Sequence, residues 1–168
     1  IAGERLVDLA DDPVPLPEWA GLVVVPNSRG ESFVRLRLDE QGETFVRDHL
    51  GDVTDDLVRT VLWAHCFDEV RTGAMPVPAY VDVVRAHLAT ETSSTLVAAV
   101  LDRTLGPVRS RTASPDEVGE VTTGVAGACL AGLALSPDPE VAVALTRGVV
   151  ATARDPDLLE RWLATGRT

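Results

Sequence analysis

The sequence predicts a mainly α-helical fold, in which antiparallel helix pairs form a HEAT-like, right-handed array after a small β remnant of about three strands. From Asp39 onward, apolar residues recur with the period of a helix. Pro, Ser, Asp and Gly punctuate that region at intervals that suit helices joined by short turns. Before Asp39 the pattern alternates with a period of two, which is typical of a strand with one buried face. Because no repeat of fixed length is evident, the array is inferred from the number of predicted helices.

The first region, residues 1–38, is interpreted as the end of a β-sandwich domain. We predict strands at 5–9, 22–25 and 33–38, the last two forming a hairpin around the turn-favouring residues 26–30. Three strands are too few to be stable alone, so they must pack on the helices or on a missing partner sheet. The chain starts with Ile1 and enters strand-like sequence at once, which suggests a piece of a longer protein.

The second region, residues 39–168, is interpreted as the first part of a helical domain of about seven helices. The first predicted helix follows Asp39 and ends at Gly51. The second, capped by Thr54 and ended by Gly73, has apolar residues around most of its circumference, so we expect it to be the central helix. A third begins at 76–78 with an apolar stripe at Val77, Val81, Val84 and Leu88.

A fourth helix is predicted from about Thr92 until 106–107, where Gly and Pro should stop it. The fifth has the clearest start, a capping box at 114–117, and runs to about Leu135 with four glycines that predict close helix packing. Asp-Pro signals at 138–139 and 155–156 start the last two helices. In the sixth, Val141, Leu145 and Val149 should face the core; in the seventh, Leu158, Leu159, Trp162 and Leu163.

The composition excludes several classes of partner. With 26 acidic and 15 basic residues, the net charge of -11 repels nucleic acid and anionic membrane surfaces. Residues 1–20 contain no signal-peptide pattern, and the longest small or apolar run, 124–135, is too short to span a bilayer, so a cytoplasmic location is expected. Cys66 and Cys129 lie singly in apolar helical patterns and are interpreted as free buried thiols in a reducing compartment. All basic residues are arginine, as in a protein from a GC-rich bacterial genome.

Few residues have a spacing that suggests chemistry. His65, Asp68 and Glu69 share one helix face, so two of them are spaced to bind a metal ion, but a local ion-pair face is the favoured interpretation. The glycines at 124 and 127 are not followed by the Lys-Ser or Lys-Thr of a phosphate loop, and Arg109 with Arg111 are too few for an anion site. Turn serines and paired aspartates are interpreted as local backbone partners and caps. We therefore assign no catalytic, cofactor-binding or metal-ligating residue in this chain.

The stretch from Val23 to Arg71 resembles the aminopeptidase N family of zinc metallopeptidases, bacterial branch, where a β-sandwich domain meets the helical C-terminal domain. The matching segments are Pro26-Asn27, Phe33 to Asp39 (FVRLRLD) and His49-Leu50-Gly51, with Leu57 to Arg59, Leu62-Trp63, Asp68 and Val70-Arg71 in the next helix. Segments 78–91, 96–105 and the final ARDPDLLERWLATG look like later helices of that domain. The family's His-Glu-x-x-His motif is absent from the sequence, and Gly73-Ala74-Met75 is followed by Pro76 in place of the glutamate of the family's exopeptidase motif.

The resemblance implies a parent enzyme that removes N-terminal residues from peptides by means of zinc-activated water in an upstream catalytic domain. It implies that this chain is a non-catalytic part, which helps to form the chamber that limits peptide access. The partners expected from it are the upstream catalytic domain of the same polypeptide and peptide substrates. The alternative is a stand-alone helical adaptor that binds a protein or peptide. A third alternative is a bundle that binds a small molecule against its glycine-lined helix, although no convergent polar residues support it.

Overall fold

The computed structural model describes residues 3–8, 13–135, 137–153 and 160. Helices dominate this part of the chain, as predicted. The α-helices are α1 (Glu40–His49), α2 (Asp56–Thr72), α3 (Val77–His87), α4 (Ser94–Arg103), α5 (Glu117–Ala134) and α6 (Pro139–Thr152). Short 3-10 turns at Leu50–Asp52 and Leu88–Thr90 extend α1 and α3, and the π-helix Thr104–Thr112 follows α4 directly. The predicted helix at 155–163 falls outside the described residues.

Consecutive helices form antiparallel hairpins. In α1/α2 the His65 ring is hydrogen-bonded to Glu43 at 2.8 Å, and in α3/α4 the Tyr80 hydroxyl lies 3.0 Å from that of Thr104. In α5/α6 the Gly132 backbone faces Leu145 and Gly148 faces Cys129. In the first two pairs both partners lie well away from the connecting turn, Thr104 being the residue directly after α4. In α5/α6 the later position on α5 meets the earlier position on α6. The two helices of each pair therefore run in opposite directions.

The three hairpins stack side by side in two layers. One layer contains α1, α3 and α5, and the other contains α2, α4 and α6. Neighbours within a layer run parallel: Gly124 of α5 lies against Val81 and Arg85, whereas Gly132, two turns later, lies against Ala89 just after α3. The turns within hairpins therefore share one rim of the array, and the connections between hairpins share the opposite rim. This is the HEAT-like arrangement that the sequence predicts.

One contiguous core lies between the layers. Its largest fully buried side chains include Trp63, Tyr80, Leu62, Leu88 and Leu145. The predicted stripe of α3 is buried throughout, and Val141, Leu145 and Val149 of α6 are at most 3% exposed. Burial of side chains of this size contributes about 1.5–3 kcal/mol each, so the layer interface is the main source of stability.

Most helix ends follow the local sequence signals. Asp39 accepts a hydrogen bond from the Gly42 amide at 2.8 Å, and Asp138 accepts one from Glu140 at 2.9 Å. Gly73 ends α2 in the left-handed conformation with φ of 78°. The cap of α2 is Asp55, one residue after the predicted Thr54, because the Asp55 carboxylate accepts from the amides of Leu57 and Val58.

The predicted strands are not formed in the described residues, so the prediction of a β remnant is wrong for residues 3–8 and 13–38. The turn itself is present, with Asn27 at φ of 52° and the Gly30 amide 2.8 Å from the Asn27 carbonyl. Its two flanks do not pair, because each contacts the helices instead: Val25 and Leu38 pack on the core. Two short strands without a third partner gain too little from pairing to compete with that packing.

The residues Gly106 and Pro107 do not stop the fourth helix, contrary to the prediction. The chain continues through them as a π-helix, in which the Ala113 amide donates to the Val108 carbonyl at 2.8 Å. A proline ring clashes with the carbonyl four residues earlier in an α-helix. The longer i to i+5 hydrogen-bond spacing of a π-helix leaves room for that ring, so the helical path continues.

The middle hairpin is α3/α4, so the prediction that the second helix is central is also wrong. The outer side of α2 faces the non-helical segment and not another helix: Arg35 contacts Asp68, Glu69 and Thr72 there. Leu57 of α2 remains 51% exposed. The N-terminal segment therefore meets α2 through polar contacts on its outer side.

The predicted start of α5 is confirmed to within two residues. The Ser114 amide donates to the Glu117 carboxylate at 2.7 Å, which is one half of the predicted capping box. Close packing at its glycines is confirmed at Gly124 and Gly132, whereas Gly119 and Gly127 have open space where a Cβ would lie. Small residues thus serve helix contact at two of the four positions.

Candidate functional site

The three residues with metal-ligand spacing point to different partners. The His65 Nε2 atom contacts Glu43 at 2.8 Å, Asp68 pairs with Arg35 at 2.9 Å and with Arg71, and Glu69 pairs with Arg35 at 3.4 Å. The Arg71 hydrogen bond lowers the pKa of Asp68, so that carboxylate is charged and neutralised locally. Among the described residues, no group of three or more His, Cys, Asp and Glu side chains is placed to bind a metal ion. Asp68 and Glu69 form ion pairs and His65 forms a hydrogen bond, so the three side chains do not converge on one point as a zinc site requires.

The tripeptide Gly73-Ala74-Met75 is a helix-ending turn. The amides of Ala74 and Met75 both donate to the Glu69 carbonyl, at 2.9 and 3.1 Å. The tripeptide therefore ends α2, in agreement with the prediction that it breaks the helix.

Both cysteines are buried and protonated. Burial raises the pKa of the Cys66 thiol to about 12, and that of Cys129 to about 12 as well. A nucleophilic cysteine must be a thiolate near neutral pH. Neither thiol can therefore act as a nucleophile in this fold.

A polar joint, consisting of the buried Arg59, Trp63 and Glu91 and the exposed Asp56, connects the first hairpin to the second. The Arg59 guanidinium donates to both Glu91 oxygens, at 3.1 and 2.9 Å, to the Val53 carbonyl at 2.7 Å and to Asp56 at 2.7 Å. The Arg59 and Glu91 side chains are only 7% and 1% exposed. Two charges at this depth are tolerated because each is paired and hydrogen-bonded.

Glu91 also organises the turn before α4. One of its oxygens accepts from the amides of Thr92 and Ser93, at 2.9 Å each, and the other from the Trp63 indole at 3.4 Å. Burial alone would lower the pKa of Arg59, but its bonds to Glu91 and Asp56 outweigh burial and raise it. Arg59 therefore stays charged, and the polar joint fixes the α3–α4 turn against the start of α2.

His87 makes a second connection at the same rim. Its Nδ1 atom accepts from the Gly51 amide at 3.2 Å, so its Nε2 atom is the donor to the Arg47 carbonyl at 2.8 Å. A cavity of about 250 Å³ lies between this ring and the polar joint, lined also by Val53, Thr54, Thr90 and Thr92. Arg59, Glu91 and His87 all form hydrogen bonds between the first and second hairpins, so their role at this rim is to hold the two hairpins together.

The other candidate is an open groove between α4 and α6, here called the α4–α6 groove. Its volume is about 520 Å³, and its lining is mostly small or apolar, with one acidic and one basic side chain at the edge. The lining residues are Ala98, Leu101, Asp102, Leu105, Gly106, Ala144, Arg147, Gly148 and Ala151. A floor of small residues lets a backbone approach closely, and the two charges can orient it. This arrangement can bind a peptide segment.

Neither the polar joint nor the groove was predicted from the sequence. Arg59 and Glu91 are 32 positions apart, so local spacing could not pair them. One signal was present: Arg59 is a charged residue among the apolar positions of α2. The groove is lined by residues of α4, α6 and the π-helix. The sequence shows that α4 and α6 contain small residues, but not that these residues face each other.

Comparison of the chain with protein-family models, with curated proteins and with solved structures finds no match. Among the described helices, none combines the length and the apolar character that crossing a bilayer requires.

Proposed function

We propose that this chain is the non-catalytic first part of the helical C-terminal domain of a zinc-dependent aminopeptidase N-like metallopeptidase. In this role it forms part of the wall of a chamber that limits which peptides reach an upstream catalytic domain. One observation is its main support: the helical array begins at Glu40, directly after the segment Phe33 to Asp39 that resembles the family's domain junction.

The non-helical segment supports a partner domain on the N-terminal side. Leu6 is 94% exposed, Phe33 is fully exposed, and Leu22 and Val34 are both 43% exposed. Exposed apolar side chains of this size, next to extended backbone that forms no ladder in the described residues, suit burial against a sheet of a neighbouring domain. The upstream domain of the same polypeptide is the partner that the proposal names.

The first test is to read the coding sequence upstream of the codon for Ile1. The proposal expects an in-frame His-Glu-x-x-His motif and a second glutamate about one helix later. An upstream region that lacks these ligands would refute the proposal.

The second test uses the intact enzyme. It should contain zinc and release N-terminal residues from short peptides. Removal of residues 39–168 and any following helices should increase the cleavage of long peptides relative to short ones, since a chamber wall is lost. An unchanged length preference in a folded, zinc-loaded deletion variant would contradict the role as a wall.

A stand-alone peptide-binding adaptor is the second candidate function, and the α4–α6 groove is the observation that favours it. A gene that opens near Ile1, combined with peptide binding by the chain alone, would favour this candidate over the first. Fold alone does not separate the two, because helical arrays serve both as enzyme parts and as adaptors.

A further inference from the structure

We infer that His87, through its hydrogen bonds to Gly51 and Arg47, is an acid-sensitive latch between the first and second hairpins: protonation of its ring releases the end of α1 from the end of α3. The inference goes beyond the proposed function, because it rests only on the hydrogen bonds, the burial and the space around this ring. It makes the connection between two hairpins depend on pH in the range in which histidine titrates.

The partners of the His87 ring determine which nitrogen carries its proton. The Gly51 amide is a donor, so the Nδ1 atom that lies 3.2 Å from it must accept and carries no proton. The Arg47 carbonyl is an acceptor, so the Nε2 atom that lies 2.8 Å from it must donate. Both bonds together require a neutral ring, and His87 is only 7% exposed.

A second proton on this ring is incompatible with the closed latch. A protonated imidazole carries a hydrogen on both nitrogens, so the Nδ1 hydrogen and the Gly51 amide hydrogen would point at each other. At 3.2 Å, the distance between the two nitrogens leaves no room for a bridging water. Protonation of the ring therefore breaks the bond between His87 and Gly51.

The other two histidines have partners of the opposite kind. His49 lies 2.9 Å from a carboxylate oxygen of Asp52, and His65 lies 2.8 Å from one of Glu43. A carboxylate can accept from a protonated ring, and the hydrogen bond is then charge-assisted. In the described part of the chain, His87 is the one histidine that accepts from a backbone amide. Acid should therefore weaken the contacts of His87 and not those of the other two.

The charged groups around the ring provide no carboxylate for it. Across the adjacent cavity, Arg59 is paired with Glu91 at 2.9 Å and with Asp56 at 2.7 Å. The end of α1 and its 3-10 turn contribute two exposed pairs: Arg47 with Asp48 and His49 with Asp52. On α5, Gly132 packs against Ala89 just after α3, and residues 127–135 include no charged side chain. Every carboxylate among these groups thus already has a partner.

The adjacent cavity gives the latch space in which to open. Its volume is about 250 Å³, and both His87 and Gly51 line it. A ring that has lost Gly51 can turn into this space, where Thr54, Thr90 and Thr92 offer hydroxyl oxygens as acceptors. The opening is therefore local to this rim of the array.

The direction of the pH effect follows from the number of bound protons. The open latch can bind a proton on His87 that the closed latch excludes, so acid favours the open form. Below histidine's ordinary value of about 6.5, the ratio of open to closed molecules should rise about tenfold per pH unit. Carboxylates remain charged down to about pH 5, so the ion pairs of the rim stay intact over this interval.

Hydrogen exchange of the Gly51 amide measures the latch directly, because this amide is the group that protonation of His87 frees. NMR of the isotope-labelled 168-residue chain gives its exchange rate on either side of histidine's ordinary value, at about pH 7.5 and about pH 5.5. After correction for the intrinsic effect of pH on exchange, we expect the protection of Gly51 to fall about tenfold. Equal protection at the two pH values would overturn the inference.

The variant His87→Gln tests whether this ring is the titrating group. A glutamine side chain can accept from Gly51 and donate to Arg47 but does not titrate, so the protection of Gly51 should become independent of pH. His49→Gln is the matched control, because it removes an exposed histidine near Gly51 and should keep the change. A change that persists in His87→Gln, or that disappears in His49→Gln, would assign the effect to another group and overturn the inference.

A second measurement needs no variant. Long-range nitrogen–proton NMR spectra of the chain show which ring nitrogen of His87 carries the proton at neutral pH, and we expect the proton on Nε2 alone. A proton on Nδ1 would show that the Gly51 amide does not donate to the ring, and the inference would fail even if His87→Gln did not fold. The test of the proposed function on the upstream coding sequence has no bearing on either result.

Discussion

At the scale of single residues, the polar joint shows how a charged pair can determine the position of a turn. Glu91 is bound to Arg59 on one side and to the amides of its own turn on the other. Neither bond alone compensates for burying a carboxylate. Together they make the position of the α3–α4 turn depend on the Arg59 side chain of α2.

We predict that Glu91→Ala destabilises the chain by about 3–5 kcal/mol, because it leaves the Arg59 charge buried without its partner. The free energy of unfolding in urea measures this. The double variant Arg59→Ala with Glu91→Ala should lose less than the sum of the single losses. Arg71→Ala is the control: it removes an exposed ion pair with Asp68 and should cost at most about 1 kcal/mol. If Glu91→Ala lowers the free energy of unfolding by no more than Arg71→Ala does, the Arg59–Glu91 pair contributes little to stability.

The second prediction at this scale concerns thiol reactivity. Because burial raises the pKa of Cys66 and of Cys129 to about 12, both remain thiols at pH 8 and are shielded from reagents. We expect no reaction of the native chain with a thiol-specific disulfide reagent at pH 8 within the time in which the urea-unfolded chain reacts fully at two cysteines. Rapid labelling of one native thiol would show that its helix opens locally.

The burial of the two cysteines could be predicted from the sequence, since each lies in an apolar pattern. The partners of Arg59 could not be predicted. Helical periodicity describes which side of one helix is apolar, whereas the pairing of Arg59 with Glu91 depends on how two hairpins stack.

At the scale of elements, two glycines of α5 allow the effect of helix propensity to be compared with the effect of close packing. Gly127 and Gly132 have the same helical conformation but different surroundings: open space at Gly127, and Leu145 with the Ala89 backbone at Gly132. A backbone neighbour cannot move aside as the end of a side chain can.

We therefore predict opposite effects of the same substitution. Gly127→Ala should stabilise the chain by up to about 1 kcal/mol through helix propensity. Gly132→Ala should destabilise it by about 1–3 kcal/mol, because its Cβ would lie 3.1 Å from the Ala89 carbonyl oxygen and 2.8 Å from Leu145. Thermal and urea unfolding of both variants test this. Equal effects would mean that helix propensity alone governs α5.

Helix ends were predictable because their signals are local: an aspartate before the first turn of α1 or α6, and a glycine after α2. Strands were not, because a strand needs a partner that period-two alternation cannot identify. Pro107 did not end the helical path, although proline usually ends an α-helix because its ring clashes with the carbonyl four residues earlier. The chain there forms a π-helix, in which this clash does not arise.

At the scale of the whole molecule, the main helix contacts of each hairpin in the described residues are with its neighbours in the stack, as in other stacked arrays. Among the described residues, the middle hairpin has a neighbouring hairpin on both sides, whereas each outer hairpin has one on a single side. Stability should therefore differ between positions in the stack.

We predict that amide hydrogen exchange is slowest in α3 and α4, for example at Val84 and Val97, which are fully buried. Exchange should be faster in α1 and in α6. Hydrogen exchange followed by mass spectrometry measures this along the chain. Uniform protection would instead indicate that the described array unfolds as a single cooperative unit.

The two-layer arrangement was predictable from the succession of helices and short turns. Which hairpin lies in the middle was not, because the apolar circumference of α2 does not show which elements pack around it. Sequence patterns count buried positions but do not distinguish what buries them.

The unequal rims of the array also bear on how such a chain can lengthen during evolution. At one rim, the polar joint and His87 bond two successive turns to each other, so an inserted residue there would separate Arg59 from Glu91. At the opposite rim, Pro107 and the wide π-helix already accommodate an irregular connection. Duplications and insertions should therefore accumulate at the rim beside the groove, where new residues would change what the chain binds before they change how it folds.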